Sequence, residues 1–108
     1  MIFGPIFARR KAMGLYKKGM AHAEKRDLEA AIADYSKVVE MKSAPQDIKA
    51  MAFFNRALAY SRNKNDELAE KDLKLVLAME KAPPRIKSAS QEKISRMAMM
   101  HRRKEDAE

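Results

Sequence analysis

The sequence predicts an all-α fold, a stack of helix-turn-helix hairpins that contains about five helices. Three observations predict this class. The 108 residues repeat their own residue classes after 38 positions, so that residues 12–45 correspond to residues 50–83, and such self-similarity is typical of stacked structural units. Apolar residues recur at helical steps of three and four. Three Gly and four Pro leave few residues for the turns of an all-β protein.

Small residues recur at matched places in the two copies, where neighbouring helices must cross closely. The first helix carries Gly19 in the first copy and Ala57 in the second. The second helix carries Ala31 and Ala69 at the matching places. Larger side chains one turn away can then close over the crossing, as ridges pack into grooves. Those larger residues are Leu15, Tyr35, Phe53 and Leu73.

The spacing within each copy resembles the tetratricopeptide repeat, a helix-turn-helix unit. In its first helix a bulky, a small and an aromatic residue follow one another, here Leu15, Gly19 and His22, then Phe53, Ala57 and Tyr60. The second-helix pattern is Ala31, Tyr35 and Val38, then Ala69, Leu73 and Val76. His22 and Leu73 depart from the usual aromatic. The resemblance implies a right-handed stack of two repeats within a single domain, residues 1–108.

Residues 1–11 form an apolar and basic lead-in to the first repeat. Proline suits the first turn of a helix, so we predict that the first helix runs from Pro5 or Ile6 to Lys25. Four large hydrophobic side chains in the lead-in need a cover, which a fold-back, a groove or a second copy of the chain can supply. They are Ile2, Phe3, Ile6 and Phe7.

Turn residues separate the next three helices. The second helix is predicted over residues 28–42, because Pro45 pushes the residue before it out of helical space. A third helix is predicted to end near residue 62 and a fourth near residue 81. Polar residues that can cap the starts of these helices precede each of them. The predicted N-caps are Asp27, then Asp47 or Ser43, then Asn65 or Asp66.

A fifth helix is predicted from residue 85 to residue 102, with frayed residues after it. It departs from the repeat, since Gln91, Glu92 and Arg96 stand where the first copy has larger or apolar residues. We therefore interpret residues 85–104 as a helix that caps the apolar edge of the second copy. A degenerate third repeat is the competing interpretation.

Few residues offer catalytic chemistry. The chain has no Cys and two His, and it lacks a phosphate-binding glycine loop and a recognised metal spacing. His22 takes an interior repeat position and is predicted to be a hydrogen-bonded core residue, whereas His101 is predicted to face solvent. We predict no enzymatic activity, no cofactor, and no catalytic or metal-binding residue.

Charge and location follow from composition. The net charge of +8 and the pI near 9.8 favour an acidic partner, although a solvated basic surface has the same composition. Nucleic-acid binding through residues 9–11 and 102–104 stays a weaker alternative, because the nearby aromatics are explained by packing. The opening apolar run is too short to span a membrane, and the absence of Cys permits a reducing compartment, so we expect a cytoplasmic protein without a transmembrane segment.

The resemblance also implies a binding face, since first helices of tetratricopeptide repeats line a concave groove that takes peptides or helices of partner proteins. We therefore predict a scaffold or adaptor with a soft, methionine-rich groove. Its methionines can instead pack against the fifth helix or the N-terminal segment. Two repeats are also fewer than the usual three, which makes a homo-oligomer through the lead-in the second hypothesis. The predicted groove residues are Met13, Tyr16, Lys17, Met20, Met51, Phe54, Asn55, Leu58 and Arg62.

Overall fold

Five helices make up the computed structural model, which describes residues 4–107. They are α1 (Gly4–Glu24), α2 (Leu28–Glu40), α3 (Gln46–Arg62), α4 (Asp66–Ala78) and α5 (Pro84–Ala107). No strand occurs within these residues, so the predicted all-α class is confirmed. The lead-in residues Ile2 and Phe3 lie outside the described residues.

Side-chain caps begin α2 and α4 as predicted. The Oδ1 atoms of Asp27 and Asn65 each accept a hydrogen bond of 3.3 Å from the backbone N–H three residues later. The residue before each cap takes a left-handed conformation, with φ of 62° at both Arg26 and Lys64. Such a residue ends the preceding helix in a tight turn. The two copies therefore turn in the same way, as their sequence correspondence predicts.

The predicted cap of α3 is wrong. Neither Ser43 nor Asp47 caps this helix, because Pro45 occupies the N-cap position and offers no side-chain hydrogen bond. Asp47 is engaged elsewhere, since the Arg9 guanidinium donates to its Oδ2 atom at 2.9 Å. An ion pair with α1 has thus replaced the expected local bond.

Three predicted helix ends are also corrected. The helices α2 and α4 stop two to three residues early, because an extended methionine follows each of them, Met41 or Met79. At the other end of the chain, the residues predicted to fray continue α5 to Ala107. The pair of His101 Nε2 and Glu105 Oε1, 3.0 Å apart at four residues' spacing, supports the helix there.

Close helix crossings hold each hairpin together. Ala31, Ala57 and Ala69 are buried, and a methyl group placed on Gly19 would lie 2.6 Å from Cε1 of Tyr35. Nothing larger than hydrogen fits there without displacing the ring. The predicted small-residue crossings are therefore confirmed.

The helices form two layers. Helix α3 touches both α1 and α5, whereas α2 and α4 are not in contact within residues 4–107. The helices α1, α3 and α5 thus form one layer, called the inner layer below, and α2 and α4 form the other. None of the five helices described combines the length and apolar character that crossing a lipid bilayer requires.

Two buried aspartates at equivalent positions tie the layers together. Asp34 Oδ2 lies 2.7 Å from Nδ1 of His22, so the prediction of a hydrogen-bonded histidine is confirmed. Asp72 instead accepts two hydrogen bonds of 2.8 Å from Nε and Nη2 of Arg56. Arg56 also donates from Nη1 to Ser36 Oγ at 3.0 Å. Because Ser36 belongs to α2, this arginine joins the two hairpins.

The start of α5 repeats the start of α3. Ala82, Ile86 and Ser90 are buried at positions 38 residues after Ala44, Ile48 and Ala52. Further along, α5 packs Ile94 and Met97 on the core of the second hairpin, and every residue from 98 to 107 is exposed. Helix α5 therefore takes the place of the first helix of another unit, and no helix follows it within the described residues.

Candidate partner-binding groove

Eight of the nine predicted groove residues are accessible on the inner layer of α1 and α3. Lys17 and Arg62 are exposed, and Tyr16 is the exception, with 9% of its surface accessible. The remaining six are half-buried, which gives them both a packed side and an open side. They are Met13, Met20, Met51, Phe54, Asn55 and Leu58.

The methionines of this face rest on the core. Met13 and Met20 pack against the cluster that contains Tyr16 and Tyr35, and Met51 contacts both that cluster and the next one. Helix α5 does not reach α1 within the described residues. It therefore does not cover the methionines of α1, and their half-buried side chains form a backed apolar lining.

A polar contact marks the centre of this lining. The Asn55 Nδ2 group donates to Tyr16 Oη at 2.7 Å and to the Met51 carbonyl at 3.0 Å. Its Oδ1 atom makes no hydrogen bond within residues 4–107, so it can accept one from a ligand. Burial raises the pKa of Tyr16, against the opposing effects of the Asn55 hydrogen bond and the Arg85 charge. The tyrosine thus keeps its proton and its capacity to donate.

Sequence reasoning missed Arg85, whose charge acts on Tyr16 from the first turn of α5. A signal was present, since Arg85 follows Asp47 by the 38-residue repeat. Asp47 itself adds little free negative charge to the face. Its pKa is lowered, first by the hydrogen bond from Arg9, and the two side chains form an ion pair.

Three unpaired positive charges lie around the lining. Lys17, Arg62 and Arg85 are exposed, and in the described part of the chain none of them forms an ion pair. Arg62 lies near enough to Tyr35 to influence its hydroxyl. The pKa of Tyr35 is raised to about 12 by burial and by Tyr16 and Asp34, and Arg62 acts in the opposite direction.

A family model of the tetratricopeptide repeat matches residues 14–45 and residues 50–83. The chain belongs to the tetratricopeptide repeat family. Its two repeats coincide with the hairpins α1–α2 and α3–α4, and the groove residues lie on the first helix of each. Tetratricopeptide repeats generally mediate protein–protein interaction and are typically non-enzymatic. Neither the curated proteins nor the solved structures contain a match to the chain.

Other surfaces offer less organised chemistry. The basic clusters at residues 9–11 and 102–104 lie near the start of α1 and the end of α5, two helices that do not touch in the described structure. Each cluster is therefore a separate basic patch. Among residues 4–107, no three His, Cys, Asp or Glu side chains converge in a way that could hold a metal ion.

Proposed function

We propose that this protein is a non-enzymatic scaffold of the cytoplasm that captures an extended or helical segment of a partner protein along α1 and α3. The observation that carries the proposal is the polar centre of Tyr16 and Asn55 between half-buried methionines. Apolar side chains of the segment would pack on the methionines. Its backbone would donate to Asn55 Oδ1, which Tyr16 holds in place through the Asn55 Nδ2 group.

Preorganisation supports this mechanism. Asn55 is held by two hydrogen bonds, and Tyr16 packs against Tyr35 with ring centroids 5.9 Å apart. Polar groups fixed before binding lose little conformational entropy when a ligand arrives. The unbranched methionines around them can adapt to different apolar side chains. Fixed hydrogen-bonding groups beside an adaptable lining suit the recognition of peptides.

The test uses peptides selected from a random display library on the folded chain. Met20→Glu introduces a charge into the lining, so we expect it to abolish binding of the selected peptides while the helical circular dichroism is retained. Met99→Glu is the matched control, because Met99 is 50% exposed on α5 and is not one of the groove residues. Unchanged binding by Met20→Glu, or equal losses in both variants, would place the binding site elsewhere.

Self-association is a second candidate, favoured by the exposure of Ile6 and Phe7, 53% and 62%. Contact with a second copy would remove this apolar surface from water. Sedimentation should then show oligomers that Ile6→Ser dissociates and that Met99→Ser leaves intact. A monomer at all concentrations, or an oligomer insensitive to Ile6→Ser, contradicts this candidate.

A further inference from the structure

Two clefts lie at equivalent positions of the stack and differ in their charged side chains. Each cleft lies beside the turn of one hairpin and the last turns of the next inner helix. The first cleft, of about 480 Å³, is lined by Arg26, Leu28 and Arg62. Residues 38 positions later are among those that line a second cleft of about 490 Å³, namely Lys64, Asp66 and Met100. The second cleft can therefore be compared with the first, residue by residue.

An acidic side chain distinguishes the two clefts. In the second, the carboxylate of Asp66 lies among the lysines that line it, which are Lys64, Lys93 and Lys104, whereas Leu28 takes the place of that carboxylate in the first. In the first cleft two guanidinium groups therefore share a lining without an acidic side chain. The neighbouring Asp27 directs its carboxylate to the backbone at the start of α2.

The two guanidinium groups of the first cleft are also without protein partners. Neither Arg26 nor Arg62 forms a side-chain hydrogen bond or ion pair within residues 4–107. Three other arginines do so, namely Arg9 with Asp47, Arg56 with Asp72 and Arg96 with Glu92. The donors of the first cleft are thus available to a ligand.

Backbone hydrogen bonds hold the Cα atoms of both arginines in place. Arg26 N donates to the Ala23 carbonyl at 3.0 Å, and Asp27 N donates to the His22 carbonyl at 2.9 Å. Arg62 is the last residue of α3. It lies one helical turn beyond the groove residue Leu58, on the same side of the helix. The cleft therefore continues the α1–α3 face.

We propose that the Arg26–Arg62 cleft binds the carboxylate of an Asp or Glu side chain in the partner segment, with an adjacent apolar side chain against Leu28. This inference rests on the proposed function of the groove, and it specifies an acidic segment. Guanidinium groups match carboxylates through paired hydrogen bonds. Two arginines from different elements can grip one carboxylate from two sides, which selects for the position of the acid as well as its charge.

Nuclear magnetic resonance of the full chain tests the proposal with two short peptides blocked at both ends. One alternates Leu with Glu, and the other alternates Leu with Gln. The side-chain N–H signals of Arg26 and Arg62 report on the cleft, while the methyl signals of Met13 and Met20 report on the groove. We expect the Glu peptide to shift both sets and to bind about tenfold or more tightly than the Gln peptide, since hydrogen bonds between charged groups are lost with Gln.

Matched variants separate a site from general attraction. The pair Arg26→Gln and Arg62→Gln should remove the preference for Glu. The pair Lys64→Gln and Arg102→Gln removes the same total charge and should change affinity by about twofold or less, as expected of exposed charges. Circular dichroism checks that both proteins remain folded. Equal losses in the two variants would overturn the proposal.

The remaining outcomes distinguish the cleft from the groove. Methionine shifts without arginine shifts overturn the cleft and leave the groove standing. Arginine shifts without methionine shifts support the cleft and contradict the groove. The proposed cleft is overturned if neither peptide shifts the side-chain N–H signals of Arg26 and Arg62. It is also overturned if inorganic phosphate shifts these signals and the Glu peptide does not.

Discussion

Replacing Asp72 with Asn removes the charged partner of Arg56 while keeping the size of the side chain. Both groups are withdrawn from water, with side-chain exposures of 15% for Arg56 and 3% for Asp72, so values for surface ion pairs do not apply. Removing one member of a buried pair costs about 3–5 kcal/mol, because the other charge is left uncompensated. Asn retains one acceptor, and we therefore expect a loss of about 3 kcal/mol in the free energy of unfolding.

Urea unfolding followed by helical circular dichroism measures this loss. Glu70→Gln is the matched control, since it removes the same charge from the exposed face of α4, where Glu70 pairs with Lys74 at 3.1 Å. That surface pair should contribute about 0.5 kcal/mol or less. A double-mutant cycle with Arg56→Met then isolates the coupling. If Asp72→Asn costs no more than Glu70→Gln, the buried pair does not hold the hairpins together as described.

Three further predictions concern single side chains. Gly19→Ala should destabilise the protein by about 1–3 kcal/mol, because the added methyl group clashes with Tyr35. Gly14→Ala, with nothing within 4 Å of the added methyl, should stabilise it by about 0.5–1 kcal/mol. Thermal unfolding measures both changes, and stability changes of the same sign contradict the packing. Ser90→Ala should raise the free energy of unfolding by about 1 kcal/mol in urea, because the Ser90 hydroxyl is fully buried without a hydrogen-bond partner in the described structure. A loss of stability refutes this. Tyr35, with its pKa raised to about 12, contributes stability that is fully present below pH 10 and lost as pH rises through 12. Between pH 10 and pH 12 the wild type should therefore lose more stability than Tyr35→Phe. Urea unfolding at fixed pH measures both losses, and equal losses contradict this prediction.

The helices were predictable because their determinants are local. Asp27 and Asn65 cap the helices that begin immediately after them. Small residues such as Gly19 indicate a helix crossing where they occur at the same position of both copies. Such signals lie within a few residues of one another. The end of α5 was mispredicted although its signal is also local, since the pair of His101 and Glu105 at four residues' spacing lies in a segment that we expected to fray.

The pairs between helices were less predictable. Arg56 contacts Ser36 and Asp72, at separations of 20 and 16 residues, and Tyr16 meets Asn55 across 39 residues. Such contacts depend on the rotation and spacing of whole helices, which residue periodicity does not fix closely enough to match individual atoms. Positions 34 and 72 both carry aspartate, but this equivalence does not identify the partner of either carboxylate.

The ion pair of Arg9 and Asp47 has a consequence for how this stack is ordered. These residues stand 38 positions apart and therefore occupy the same place in successive units. A chain built from two first units would set arginine beside arginine there, and one built from two second units would set aspartate beside aspartate. Either arrangement exchanges attraction for repulsion between side chains at close range. The two units are thus not interchangeable, and the sign of the charge at this position, positive in Arg9 and negative in Asp47, distinguishes the first unit from the second.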